Sequence, residues 1–139
     1  MAAESTLTTL PNGIQKWLTP SGDPHRVGGP AIIRPDGTVE WWERGVQHRE
    51  DGPVVIGLNG ATEWWRRGRL HRTDGPAFTW VDGTEAWYLD GEPHRTDGPA
   101  FIWPDGELEW FEHGHRKPPE VEAMLTMLWH ARTPEEGGA

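Results

Sequence analysis

The sequence predicts an all-β fold: an antiparallel meander of repeated β-hairpins in 23-residue units, closed by a C-terminal amphipathic helix. Three observations predict it. First, His-Arg recurs at His25, His48, His71 and His94, each 23 residues from the last. A fixed period of this length marks a repeat array, in which each unit leans on its neighbours. Second, each unit holds two short apolar runs separated by Asp-Gly or Asn-Gly, a tight-turn signal. Third, only the last 20-odd residues change to helical spacing.

The elements follow in order. Residues 1–10 read as a loose arm or a first edge strand. The array is expected over 11–116 and opens with a half unit, Pro11-Asn-Gly-Ile-Gln-Lys-Trp17, in which Asn12-Gly13 stands where Asp36-Gly37 stands later. A slack turn around Pro20-Ser-Gly22 accounts for one extra residue before His25. Full units begin at His25, His48, His71 and His94, and the last is expected to end two residues early, at His115. In each, Gly-Pro opens the first run: Ala31-Ile-Ile33, Val54-Val-Ile56, Ala77-Phe-Thr-Trp80 and Ala100-Phe-Ile-Trp103. The turn dipeptide comes at 36, 59, 82 and 105. The second run carries an aromatic pair: Trp41-Trp42, Trp64-Trp65, Trp87-Tyr88 and Trp110-Phe111. A single Gly (45, 68, 91, 114) then closes the unit. Residues 117–139 form the C-terminal segment. Pro118-Pro119 is a helix start signal, and Val121, Met124, Leu125, Leu128 and Arg132 share a helical face over 119–132. The helix is the expected cap of the array. Thr133 to Ala139 is expected to fray.

Composition narrows the function. Ten Trp against one Tyr and three Phe means that indoles supply much of the buried area. With no Cys there is neither a disulfide framework nor thiolate chemistry. A net charge of −9 repels phosphate backbones, so no nucleic acid is expected. No run reaches the ~18 apolar residues of a membrane span, and the N-terminus lacks signal-peptide character. The expectation is a cytoplasmic protein without a membrane partner. Ser is confined to Ser5 and Ser21, and the acids recur with the period as scaffold residues do; an enzyme is not expected.

Alternation along the second run puts Trp41, Trp64, Trp87 and Trp110 on one face and Trp42, Trp65, Tyr88 and Phe111 on the other. The first column is assigned to the core. The second, bordered by Arg44 and Arg67, is the candidate binding stripe, because aromatics beside Arg dominate protein hot spots. The alternative is that the sheet curls and buries both columns. Trp80 and Trp103, with Phe78 and Phe101, enlarge the apolar surface of the second half; they read as a ligand-facing groove or as the seat of the C-terminal helix, with the seat preferred. The His-Arg columns do not suit a metal. Equivalent residues of successive two-strand units sit ~9.5 Å apart, twice the strand spacing, whereas ligands lie ~2 Å from a zinc ion. A turn ladder with Arg paired to Asp51, Asp74 or Asp97 is expected instead. His113-Glu-His115 lacks a third ligand. No cofactor and no metal are expected.

The units Asp36-Gly-Thr-Val-Glu-Trp-Trp-Glu-Arg-Gly45 and Asp82-Gly-Thr-Glu-Ala-Trp-Tyr-Leu-Asp-Gly91 resemble MORN-type repeats: a turn Gly, an aromatic pair and a second turn Gly in a 20-odd-residue hairpin. The resemblance covers roughly 11–116. The added His-Arg-x-Asp-Gly-Pro-Ala element is similar to a subtype found in bacterial and phage repeat proteins, some of them antitoxin-like. It implies a non-enzymatic scaffold that binds a protein partner, such as a phage-encoded inhibitor or anti-defence factor. Asp-Gly-Pro stands in place of the standard Gly-x-Gly, which separates the chain from lipid-binding relatives. The Trp-Tyr hairpins also resemble choline-binding repeats, which implies a cell-wall glycan or choline module, for instance in a phage particle, as the alternative.

Overall fold

A computed structural model describes residues 4–49 and 51–138, with side chains to Arg132. Met1 to Ala3 of the expected arm, Glu50 and Ala139 lie outside the described residues. The fold is an antiparallel β meander with one C-terminal helix. Ten strands form the main sheet. They are β1 (Thr6–Thr9), β2 (Gln15–Leu18), β3 (Ile32–Ile33), β4 (Val39–Glu40), β5 (Val55–Ile56), β6 (Thr62–Glu63), β7 (Phe78–Thr79), β8 (Glu85–Ala86), β9 (Phe101–Ile102) and β10 (Leu108–Glu109). Each pairs with its neighbours in chain order, so the sheet advances one hairpin per unit without a crossover. β1 is its open edge.

The unit holds more than the two strands read from its period. After each even-numbered strand from β4 the chain leaves the main sheet at the first Trp of the aromatic pair and makes a second, smaller hairpin. Trp42–Glu43 pairs with Val46–Gln47, Trp65–Arg66 with Arg69–Leu70, Tyr88–Leu89 with Glu92–Pro93, and Phe111–Glu112 with His115–Arg116. Two residues at positive φ turn each tip, a non-glycine followed by the closing Gly: Arg44 and Gly45, Arg67 and Gly68, Asp90 and Gly91, His113 and Gly114. This is the twist that two-residue hairpins need.

The register corrects one alignment. His115 pairs with Glu112 as Glu92 pairs with Leu89, so His115 belongs to the small hairpin and not to the His column. The residue equivalent to His94 is Lys117: its amide donates to the Trp110 carbonyl as the His94 amide donates to that of Trp87. The 23-residue period runs through the last unit without a slip.

The core is a narrow column of small residues. Ala31, Val54, Ala77 and Ala100, each directly after the unit's Pro, are fully buried. Each carbonyl accepts from the first-column Trp of the preceding unit (Trp17, Trp41, Trp64 and Trp87), at 2.6–2.8 Å. Strands cross here at backbone distance, and the column holds nothing larger than Val54.

The helix α1 (Pro119–Gly138) runs six residues beyond the expected 132, through the stretch expected to fray. It stands in for a missing fifth unit. Trp110 has no following Ala carbonyl, and its amide donates instead to Glu122 Oε2 at 2.9 Å. The Trp110 indole Nε1 donates to Thr126 Oγ1, and Trp129 meets the ring edge-on at a centroid distance of 6.2 Å. Trp110 is therefore only 8% exposed. The buried face of α1 is Val121, Glu122, Leu125, Thr126 and Trp129. Met124 and Leu128, expected on that face, point outward with Met127. The helix does not sit on Trp80 and Trp103, which stay exposed.

Candidate functional site

The repeated motif builds a three-layer stack. The Arg26, Arg49, Arg72 and Arg95 guanidinium carbons lie 4.0, 3.9, 4.0 and 3.8 Å from the ring centroids of Trp17, Trp41, Trp64 and Trp87. The other face of each guanidinium rests on the glycine three residues later. A Cβ on Gly52, Gly75 or Gly98 would come within 2.6 Å of the guanidinium carbon, and on Gly29 within 2.9 Å. One Nη1 donates to the Pro carbonyl four residues on, at 3.1–3.2 Å. Arg72 and Arg95 also donate Nε to Asp74 and Asp97, as the turn-ladder reading anticipated. The Arg95 guanidinium holds the Asp97 carboxyl below the usual carboxylate range. The Gly-Pro of the motif thus exists for the arginine: Gly admits the flat cation and Pro presents a carbonyl to it.

The histidines hold the small-hairpin tips of their own units. His25 Nδ1 accepts the Arg44 amide at 2.8 Å, His71 Nδ1 the Asp90 amide at 3.0 Å, and His94 Nδ1 the His113 amide at 2.8 Å. Each acceptor satisfies the amide of the residue held at positive φ. No group of three His, Cys, Asp or Glu side chains placed to hold a metal occurs among the described residues.

The first-column indoles Trp41, Trp64 and Trp87 are half-buried beneath their arginines, and Trp110 beneath α1. The second column lies on the other face and is half-buried too, not an open stripe. Trp42 Nε1 and Trp65 Nε1 donate to Glu40 and Glu63 two residues back. Tyr88 and Phe111 each meet Phe101 edge-on, at 5.9 and 5.4 Å. Burial raises the Tyr88 phenol above its ordinary pKa. Arg44 and Arg67 occupy the exposed hairpin tips.

The exposed aromatics are Trp80, at 50%, and Trp103, at 37%. Each stacks on the Phe two residues before it: Trp80 on Phe78 at 5.3 Å and 17°, Trp103 on Phe101 at 5.7 Å and 6°. Phe78 and Phe101 both register against Ala86, so the two pairs stand on one face with β8 between them, ~9.6 Å apart. Trp103 Nε1 donates to Glu109 Oε2 at 2.6 Å. Trp103, Pro104, Asp105, Glu107 and Glu109 line an open cleft of about 340 Å³. Three carboxylates beside an exposed indole suit a cationic or basic, partly apolar group.

The sequence matches no protein-family model and no curated protein. No helix among the described residues is long and apolar enough to cross a membrane.

Proposed function

We propose that the chain is a non-enzymatic, MORN-like protein-binding module of the cytoplasm, acting as an inhibitor or antitoxin-like factor, and that Trp80 and Trp103 anchor its partner. The observation that carries this reading is the pair of exposed indoles, each braced on a Phe, with Trp103 set beside three carboxylates. Aromatic anchors held rigid before binding lose little entropy on binding, and the net charge of −9 favours a basic partner. Trp42, Trp65, Tyr88 and Phe111 support the anchors from the same face of the sheet.

The test is affinity capture from host extract with the wild-type chain and with Trp80→Ala/Trp103→Ala. A basic protein held by the wild type, released by salt and lost from the double variant supports the reading. Equal recovery by both removes this face from consideration.

A choline or glycan module would use stacked aromatic faces as a cage. In the first column an arginine already covers the Trp face that a ligand cation would take. Only Trp80 and Trp103 remain for such a role, and a flat tryptophan fluorescence response to choline would remove it.

A further inference from the structure

The repeats are near-copies, so a departure from the period points to a task that the scaffold does not set. The strongest departure is at the small-hairpin tips. Three read Glu43-Arg44, Leu89-Asp90 and Glu112-His113; the fourth reads Arg66-Arg67. Both arginines are exposed, and among the described residues neither has a carboxylate within ion-pair distance. The chain supplies a carboxylate to Arg34, Arg72, Arg95 and Arg116. Arg66 and Arg67, with Arg69 opposite Arg66 in the same hairpin, form a guanidinium cluster with no acid in ion-pair distance among the described residues.

They stand at a cleft of about 580 Å³ between the second and third units. Among the described residues its charged lining comprises Arg49, Arg66, Arg67 and Arg72 against Asp51 and Asp74. The next cleft along the array balances Arg72 and Arg95 against Asp74 and Asp97, and the Trp103 cleft is purely acidic. Among the described residues this cleft alone of the three carries an excess of positive charge, in a chain whose net charge is −9.

We propose that this cleft binds a carboxylate, gripped by the Arg66 and Arg67 guanidiniums and brought either by a small organic acid or by an acidic side chain of a protein. The planar fork of arginine matches a carboxylate in two parallel hydrogen bonds. Asp51, Asp74 and the net charge oppose a more highly charged anion. The cleft shares no lining residue with the Trp103 cleft; of the residues assigned to the partner-binding face only Trp65 lines it, so the two readings are tested separately.

The experiment titrates the full chain with succinate, with tetraglutamate and with inorganic phosphate, following backbone amide shifts. Saturable shifts clustered on residues 62–72 are expected with at least one carboxylate probe, weakened at least about tenfold in Arg66→Ala/Arg67→Ala and by added salt. Succinate binding identifies a small acid, whereas binding of tetraglutamate alone identifies side chains of a protein. Trp80→Ala/Trp103→Ala should bind the probe like the wild type. No shift with either carboxylate up to about 10 mM, equal binding by the arginine variant, or a response to phosphate alone overturns the proposal. The variant's thermal melting should match the wild type, since both side chains lie at an exposed tip.

Discussion

The Arg95 guanidinium lies 3.8 Å from the centre of the Trp87 ring, although the two residues belong to successive units. The same contact joins Arg72 to Trp64, Arg49 to Trp41 and Arg26 to Trp17. It ties each repeat to the one before it, and the period of the sequence is the period of this tie.

Arg72→Lys should therefore behave as a severe substitution. An ammonium cannot lie flat on Trp64 and also reach both the Pro76 carbonyl and Asp74. A cation–π contact contributes ~0.5–2 kcal/mol according to its exposure. Urea unfolding should show a loss of about 1–2 kcal/mol. A loss no larger than that of an exposed surface Lys substitution would count against the stack.

His25 is 2% exposed, and its Nδ1 accepts the Arg44 amide. The ring must then carry its proton on Nε2. Nitrogen-15 shifts of the imidazole should report that tautomer. His25→Ala should cost about 1–3 kcal/mol by leaving an amide at a strained tip unpaired, and His25→Asn should recover part of it. A Nδ1-protonated ring would contradict the tip-holding role.

Arg67 sits at φ 52, a left-handed conformation that favours Asn and Gly. Arg67→Asn should relieve up to about 1 kcal/mol of strain and raise the melting temperature while weakening carboxylate binding. A variant that gains neither stability nor loses affinity would show that the arginine is there by neither constraint.

The Asp82 carboxylate accepts the Thr84 hydroxyl and amide, and these bonds hold its pKa below the usual carboxylate range. A depressed carboxylate stabilises the fold above the unfolded value, and the contribution is lost as pH falls through the folded one. The gap in melting temperature between the wild type and Asp82→Ala should be full at pH 7 and close below about pH 3.8. A gap independent of pH would mean that the turn does not depend on the ionised carboxylate.

The cap was legible in the sequence as a helix, but its partner was not. Helical spacing grouped Val121 with Met124, Leu125 and Leu128. The contacts divide that group, because α1 replaces a β unit through Glu122, Thr126 and Trp129. The hairpins, their Asp-Gly turns and the period were readable because each rests on neighbouring residues. The Trp–Arg–Gly stack was not, since it forms across units. The His25–Arg44 bond lies within one unit but spans 19 residues, too far apart for local patterning to reveal. Alternation separated the two aromatic columns but could not show that both are half-buried, or that Trp80 and Trp103 would be left open. The small hairpins escaped notice because Trp41 and its equivalents interrupt a run that reads as one strand.

Whether the stack sets the period is tested most directly by a double-mutant cycle at Arg72 and Gly75, read by urea unfolding. Gly75→Ala alone places a Cβ within 2.6 Å of the Arg72 guanidinium carbon and should cost about 1–3 kcal/mol. In the Arg72→Ala background that clash is gone, so the same Gly75→Ala change should cost little, giving a coupling of at least ~1 kcal/mol. Additive costs would mean that Gly75 is required for some reason other than the arginine that lies on it.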